Sequence, residues 1–127
     1  MKTLISILLA MSLTGCAGLL DKIPSKWDVN QAKVVTDIRQ STINFDCKGD
    51  QKVQLDQLAK QVQWFELYSE SKGTKDVAEL GQTLVKTTKE FQERLDKGPV
   101  SPIYCDLKKK LLVQQADIMA RAVQGRF

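Results

Sequence analysis

Apolar residues recur along most of this chain at the three-and-four spacing of amphipathic helices, and the pattern divides into four runs. The first predicts a helix from about Ser25 to Phe45, with Trp27, Val34, Val35, Ile38 and Phe45 on its apolar face and Gln31 and Thr42 between them. Ser25 and Asp28 make an approximate capping box at its start, and Cys47 and Gly49 end it. Asp50 caps a second helix running to about Ser71, whose packing seam is Leu55, Leu58, Val62 and Phe65. Gln51, Gln54, Gln57 and Lys60 form its water-facing side. Beyond the turn Ser71-Lys72-Gly73-Thr74, Asp76 and Glu79 predict the start of a third helix with a seam of Val77, Leu80, Leu84, Thr87 or Thr88, Phe91 and Leu95. Glu90 with Arg94 and Glu93 with Lys97 stand at the spacing that favours ion pairs along a helix. Gly81 inside this helix costs about 1 kcal/mol relative to alanine, a cost that close approach of a neighbouring helix would offset. Gly98-Pro99 stops the run. Ser101 as N-cap and Pro102 as first helical residue open a fourth helix, with its inner face expected along Tyr104, Leu107, Leu111, Ile118, Ala122 and Val123. Lys108, Lys109 and Lys110 cannot all share one face and are expected to be solvated.

The residues ahead of these helices follow a different rule. Lys2 precedes an apolar run from Leu4 to Leu13 broken only by Ser6 and Ser12, which is signal-peptide anatomy. The run is too short to span a bilayer, which takes roughly 20 apolar residues. It closes on Leu13-Thr14-Gly15-Cys16, which resembles the lipobox of bacterial lipoproteins. That resemblance implies that residues 1–15 are removed. The thiol of Cys16 then receives a diacylglycerol, the new amino terminus receives a fatty acyl chain such as palmitate, and residues 16–25 become a lipidated tether. Ala17 in place of aspartate resembles default sorting to the outer membrane, on its periplasmic face; the inner membrane and the cell surface are the alternatives.

Export changes the reading of the other two cysteines, because it places Cys47 and Cys105 where disulfides form and persist. Four helices joined by short turns predict an all-α domain over residues 26–127, an antiparallel up-down-up-down four-helix bundle. In that topology the end of the first helix and the start of the fourth share a pole, so a Cys47–Cys105 disulfide would staple first helix to last. Closing so long a loop stabilises the fold by roughly 4 kcal/mol on loop-closure entropy. The opposite pole gathers the tether, the Gly73 turn and the C-terminus, with Lys22, Lys26, Lys72, Lys75, Arg121 and Arg126 as scattered charge that could meet anionic lipid. Trp27 falls on the stripe of Val34 and Ile38 and is expected to pack into the core.

Charge and composition mostly exclude. The chain has 127 residues, 19 basic and 15 acidic, with a net charge of +4 and no histidine. Without Lys2 the balance is 18 against 15, or +3, and the charges are interspersed, which gives no support to a nucleic-acid partner. With no histidine, Gly-rich phosphate loop or nucleophile motif, no enzymatic activity and no cofactor are expected. Two thiols do not complete a zinc site, so no metal is expected either. Glu66 and Glu70 share a helical face but read as solvated glutamates. Trp64, Phe65 and Tyr68 crowd the second helix, and Trp64 and Tyr68 are the candidate partner or ligand contacts.

The expected role is that of a membrane-anchored, periplasmic, non-enzymatic interaction or structural module with an envelope protein as partner. This plan resembles the small helical pilotins of type II secretion, disulfide-bearing lipoproteins that escort secretin subunits to the outer membrane. Two alternatives stand beside it. One is a phage or prophage lipoprotein acting in lysis as an outer-membrane spanin, or in superinfection exclusion. The other is a carrier of a lipid or small apolar ligand, lined by Trp64, Phe65, Tyr68 and Phe91.

Overall fold

Local capping chemistry sets where each helix begins in the computed structural model, which describes residues 27–125. Helix α1 spans Val29–Ile43. Asp28, in an extended conformation, is its N-cap and accepts hydrogen bonds from the Asn30 and Gln31 N–H groups at 2.9 and 3.0 Å. The expected start at Ser25 is therefore corrected: an aspartate that binds two otherwise unpaired amides begins the helix three residues later. This moves Trp27 off the helical stripe, and it is 48% exposed rather than part of the core. The helix also ends two residues earlier than expected, so that Phe45 reaches the core from the following loop.

Helix α2 spans Gln51–Ser71 with Asp50 capping the Val53 N–H at 3.1 Å, as its sequence predicts. Helix α3, Lys75–Asp96, starts at Thr74 rather than on an Asp76–Glu79 box. The Thr74 hydroxyl makes no cap bond, because it donates to the Ser69 carbonyl at 2.8 Å and accepts from Gln31 at 2.8 Å. Helix α4, Pro102–Gln124, opens as expected, with Ser101 Oγ accepting from the Tyr104 N–H at 3.1 Å. Gly73 and Gly98 take positive φ values of 70° and 134° in the turns before and after α3, where side chains would be strained.

Each helix packs on its neighbours in the order α1–α2–α3–α4–α1, forming a four-helix bundle with no strand among the described residues. Phe65, Phe91, Ile38, Leu55, Leu58, Leu84, Leu112 and Met119 fill its centre with almost no exposed surface. A disulfide joins Cys47, just past α1, to Cys105 at the start of α4, with Cα atoms 5.9 Å apart. Gly81 lies where a Cβ would come within 3.4 Å of the Phe65 ring, so the close approach of α2 accounts for a glycine inside α3. Polar groups in the core are mostly satisfied. Thr88 and Thr87 bond back to the carbonyls of Leu84 and Thr83, and the fully buried Gln31 donates to both Ser69 Oγ and Thr74 Oγ1.

The fourth helix departs most from its sequence reading. Its buried residues are Cys105, Leu112, Ala116, Met119, Ala120 and Val123. Leu107, Leu111 and Ile118, expected inside, are 61%, 37% and 50% exposed, and Ile103 is 73% exposed. The helix carries apolar residues on two faces, and periodicity alone does not choose between them. The disulfide does, because Cys105 must face the end of α1, and Ala116 and Ala120 are then buried on the same face.

Candidate functional site

Three surfaces stand out from the ordinary charged exterior. The first is the outer face of α4. At 3.6 residues per turn, Ile103, Leu107, Leu111 and Ile118 fall within one narrow stripe about 22 Å long, on the order of 150° around the helix from the buried set. Their combined exposed surface is on the order of 400 Å², the size of the largest apolar patch on a typical monomer, and such patches are often functional. Polar groups border it. Lys108 is only partly solvated: it lies 3.6 Å from Glu90 on α3 and 5.8 Å from the Tyr104 ring centre. The Arg94 guanidinium lies 5.7 Å from the same ring centre. The Glu90–Arg94 and Glu93–Lys97 pairs along α3 do not form; Glu90 turns to α4 instead, because a partner on an adjacent helix is within reach. Toward α1 the stripe is bordered by Arg121 and Asp117, the latter bridged to Arg39 at 2.8 Å and to Arg121 at 2.9 Å. Lys110 and Gln114 line a cleft of about 650 Å³ between α1 and α4.

The second surface is the aromatic pair. Trp64 and Tyr68 are stacked, with ring centres 4.9 Å apart and planes 9° from parallel. The Tyr68 hydroxyl accepts from Asn30 Nδ2 at 3.0 Å and lies 3.2 Å from an Asp28 carboxylate oxygen, to which it donates. The Lys72 ammonium lies 5.5 Å from the Tyr68 ring centre. Tyr68 thereby ties the last turns of α2 to the cap of α1. The same contacts hold the Asp28 carboxyl below the usual carboxylate range: the Gln31 N–H acts most strongly, partial burial opposes it, and the Tyr68 hydroxyl, the Asn30 N–H and Lys72 add to it. Trp64 stays 46% exposed, at the rim of the core as its position beside Phe65 predicts.

The third is a cleft of about 410 Å³ between α1 and α2, walled by Gln40, Ser41 and Asn44 on one side and Gln57 and Gln61 on the other, above buried Leu58. Gln54 also reaches this cleft, but its amide is committed to the loop, accepting from the Asp46 N–H at 2.7 Å and donating to the Asp46 carbonyl at 3.0 Å. It was expected to face only water; a long-range contact with the loop holds it instead.

Cys47 and Cys105 are brought together; Trp64 and Tyr68 are brought together by stacking. Cys16, the tether, Lys22, Lys26 and Arg126 lie outside the described residues. Lys72 and Lys75 flank the turn between α2 and α3, with Glu70, Asp76 and Glu79 close to them in sequence. Phe65 and Phe91 are sealed in the core, and none of the clefts described here is lined by either, or by Glu66 or Glu70. Among the described residues no group of acidic or cysteine side chains could hold a metal ion, and no helix is long and apolar enough to cross a membrane. The α4 stripe was present in the sequence as apolar spacing but assigned to the wrong side; the amide cleft carried no sequence signal beyond its glutamines. No family model matches the chain, and no curated protein and no solved structure shows significant similarity to it.

Proposed function

We propose that this chain is a lipid-anchored, non-enzymatic interaction module of the bacterial envelope. Cys16 carries the acyl chains, the domain stands on the periplasmic face of the outer membrane, and the outer face of α4 holds a partner protein in a pilotin-like escort or scaffolding role. The observation that carries this reading is the stripe of Ile103, Leu107, Leu111 and Ile118. Among the described residues the core is formed without these four side chains, so packing within residues 27–125 does not account for them. An exposed apolar strip interspersed with Gln114 and Arg121 and edged by Lys110 has the mixed apolar and polar composition of a protein interface. Anchoring adds to this by confining the module near other membrane-bound proteins and so raising their effective concentration.

Photo-crosslinking in the native envelope tests the assignment. A photoreactive residue at Leu107 or Leu111 should give a discrete adduct with one envelope protein, and the same residue at exposed Gln63 on α2 should not. Replacing Cys16 with alanine should reduce the adduct by removing the anchor. Equal labelling from both helices would overturn the assignment to α4.

A further inference from the structure

The seam between α1 and α2 has a second property, independent of the α4 face. Positions that flank the apolar contact of two surface helices commonly carry lysine and glutamate; here they carry neutral groups, Gln40, Ser41, Asn44, Gln57 and Gln61. The one carboxylate on the cleft wall, Asp37, is answered by Lys33 at 2.8 Å. Among the described residues no cation lines the cleft, so phosphate and carboxylate ligands find no counter-charge in its walls. An apolar ligand would strip water from the amides and return nothing.

Each amide offers two donors and an acceptor with two lone pairs in one plane. Ser41 Oγ donates to Gln61 Oε1 at 3.0 Å, which orients that amide and leaves its NH₂ group uncommitted. The side chains of Gln40 and Gln57 make no hydrogen bond within the described residues. The cleft therefore presents donors and acceptors in mixed order over an apolar floor at Leu58.

Trp64 stands one turn beyond Gln61 on the same side of α2. Tyr68 stacks on one face of the indole and the ring stays 46% exposed, which leaves aromatic surface one turn from Gln61. The ring is held ready: Tyr68 backs it, and Asn30 and Asp28 fix Tyr68. An exposed indole face attracts polarised C–H groups through its electron-rich surface.

We propose that this surface binds a neutral oligosaccharide, with Trp64 stacking on one sugar ring and the amides of Gln40, Gln57 and Gln61 meeting the hydroxyls of the next. A flat polar ring with an apolar C–H face and an edge of hydroxyls, each both donor and acceptor, is the ligand chemistry that uses both halves of the site. Single-stranded nucleic acid also stacks on tryptophan, but it needs cations along its backbone, and the described lining of the cleft holds none; Lys60 and Lys72 flank only the Trp64–Tyr68 end. From Gln54 to Trp64 the surface runs about 15 Å along α2, longer than a single sugar ring.

The test uses the full chain in detergent with Trp27→Phe, so that Trp64 is the fluorescent reporter. Chitotetraose and maltotetraose are titrated as neutral probes with and without acetamido groups, and a heparin fragment as the anionic control. Saturable change with either neutral probe, together with shifts of the Gln40, Gln57 and Gln61 side-chain NMR signals, supports the site and identifies whether the acetamido group matters. Trp64→Ala, read by NMR, and Gln57→Ala should each weaken binding by about tenfold. Trp64→Phe should retain part of it, and Leu107→Ser should leave it unchanged. Both residues are exposed, so circular dichroism can verify that the variants stay folded. No saturable response to either neutral probe up to about 10 mM overturns the proposal. So does tighter binding of the heparin fragment, or binding that survives both alanine variants.

Discussion

Leu107 and Leu112 lie five residues apart on α4, and exchanging each for alanine separates the two faces of that helix. Leu112 has no exposed surface and is surrounded by core. Its truncation removes the transfer free energy of the buried methyl groups and leaves a cavity, a loss of about 2–5 kcal/mol. For a domain of this size each kcal/mol is worth roughly 4–8 °C in Tm, so Leu112→Ala should lower the midpoint by about 8–40 °C. Leu107 is 61% exposed, already pays most of its hydration cost in the folded state, and sits in mid-helix where alanine is well tolerated. Leu107→Ala should change stability by no more than about 0.5 kcal/mol. Urea and thermal unfolding followed by circular dichroism read both values. If Leu107→Ala costs more than about 2 kcal/mol while Leu112→Ala costs less than about 1, α4 is rotated from the orientation described and the reasoning behind its interaction face fails.

Two further perturbations follow from particular contacts. Cys47 and Cys105 are separated by 58 residues, so replacing both by alanine should cost about 4 kcal/mol on loop-closure entropy, measured as the difference in unfolding free energy from the oxidised chain; a loss below about 1 kcal/mol would refute that account. Asp28→Ala removes the acceptor for two backbone amides and the partner of Tyr68, and should destabilise by about 1–2 kcal/mol near neutral pH. Asp28→Asn retains a capping oxygen but not the charge. Because the folded-state pKa of Asp28 is depressed, its stabilisation is present above the unfolded value of about 3.9 and is lost as pH falls through the folded value. The stability gap between wild type and Asp28→Asn should therefore narrow in acid; a gap that stays constant from pH 7 to pH 2.5 would contradict the assigned contacts.

Sequence alone determined the four helices, their order and the disulfide, because these rest on short-range rules. Asp50, the Ser101-Pro102 pair and the Gly98 stop act on the backbone within a turn or two, and the bundle topology then brings Cys47 and Cys105 to one pole. Where local signals competed, the reading slipped. The Ser25–Asp28 spacing reads as a capping box that starts at Ser25, whereas Asp28 is itself the N-cap, with Tyr68 from α2 donating to it across 40 residues of chain. The surfaces on which function is proposed were settled by tertiary structure. Two apolar stripes on α4 have the same period, and the choice between them depends on a covalent link to α1 that turns Cys105 inward, with Ala116 and Ala120 buried on the same face. The glutamines of the α1–α2 seam looked like solvated surface one helix at a time. They become a walled cleft beside a supported tryptophan only when two antiparallel helices place Ser41 against Gln61 and Asn30 against Tyr68. Such pairings depend on register between distant segments, which hydrophobic spacing constrains only to a face and not to a neighbour.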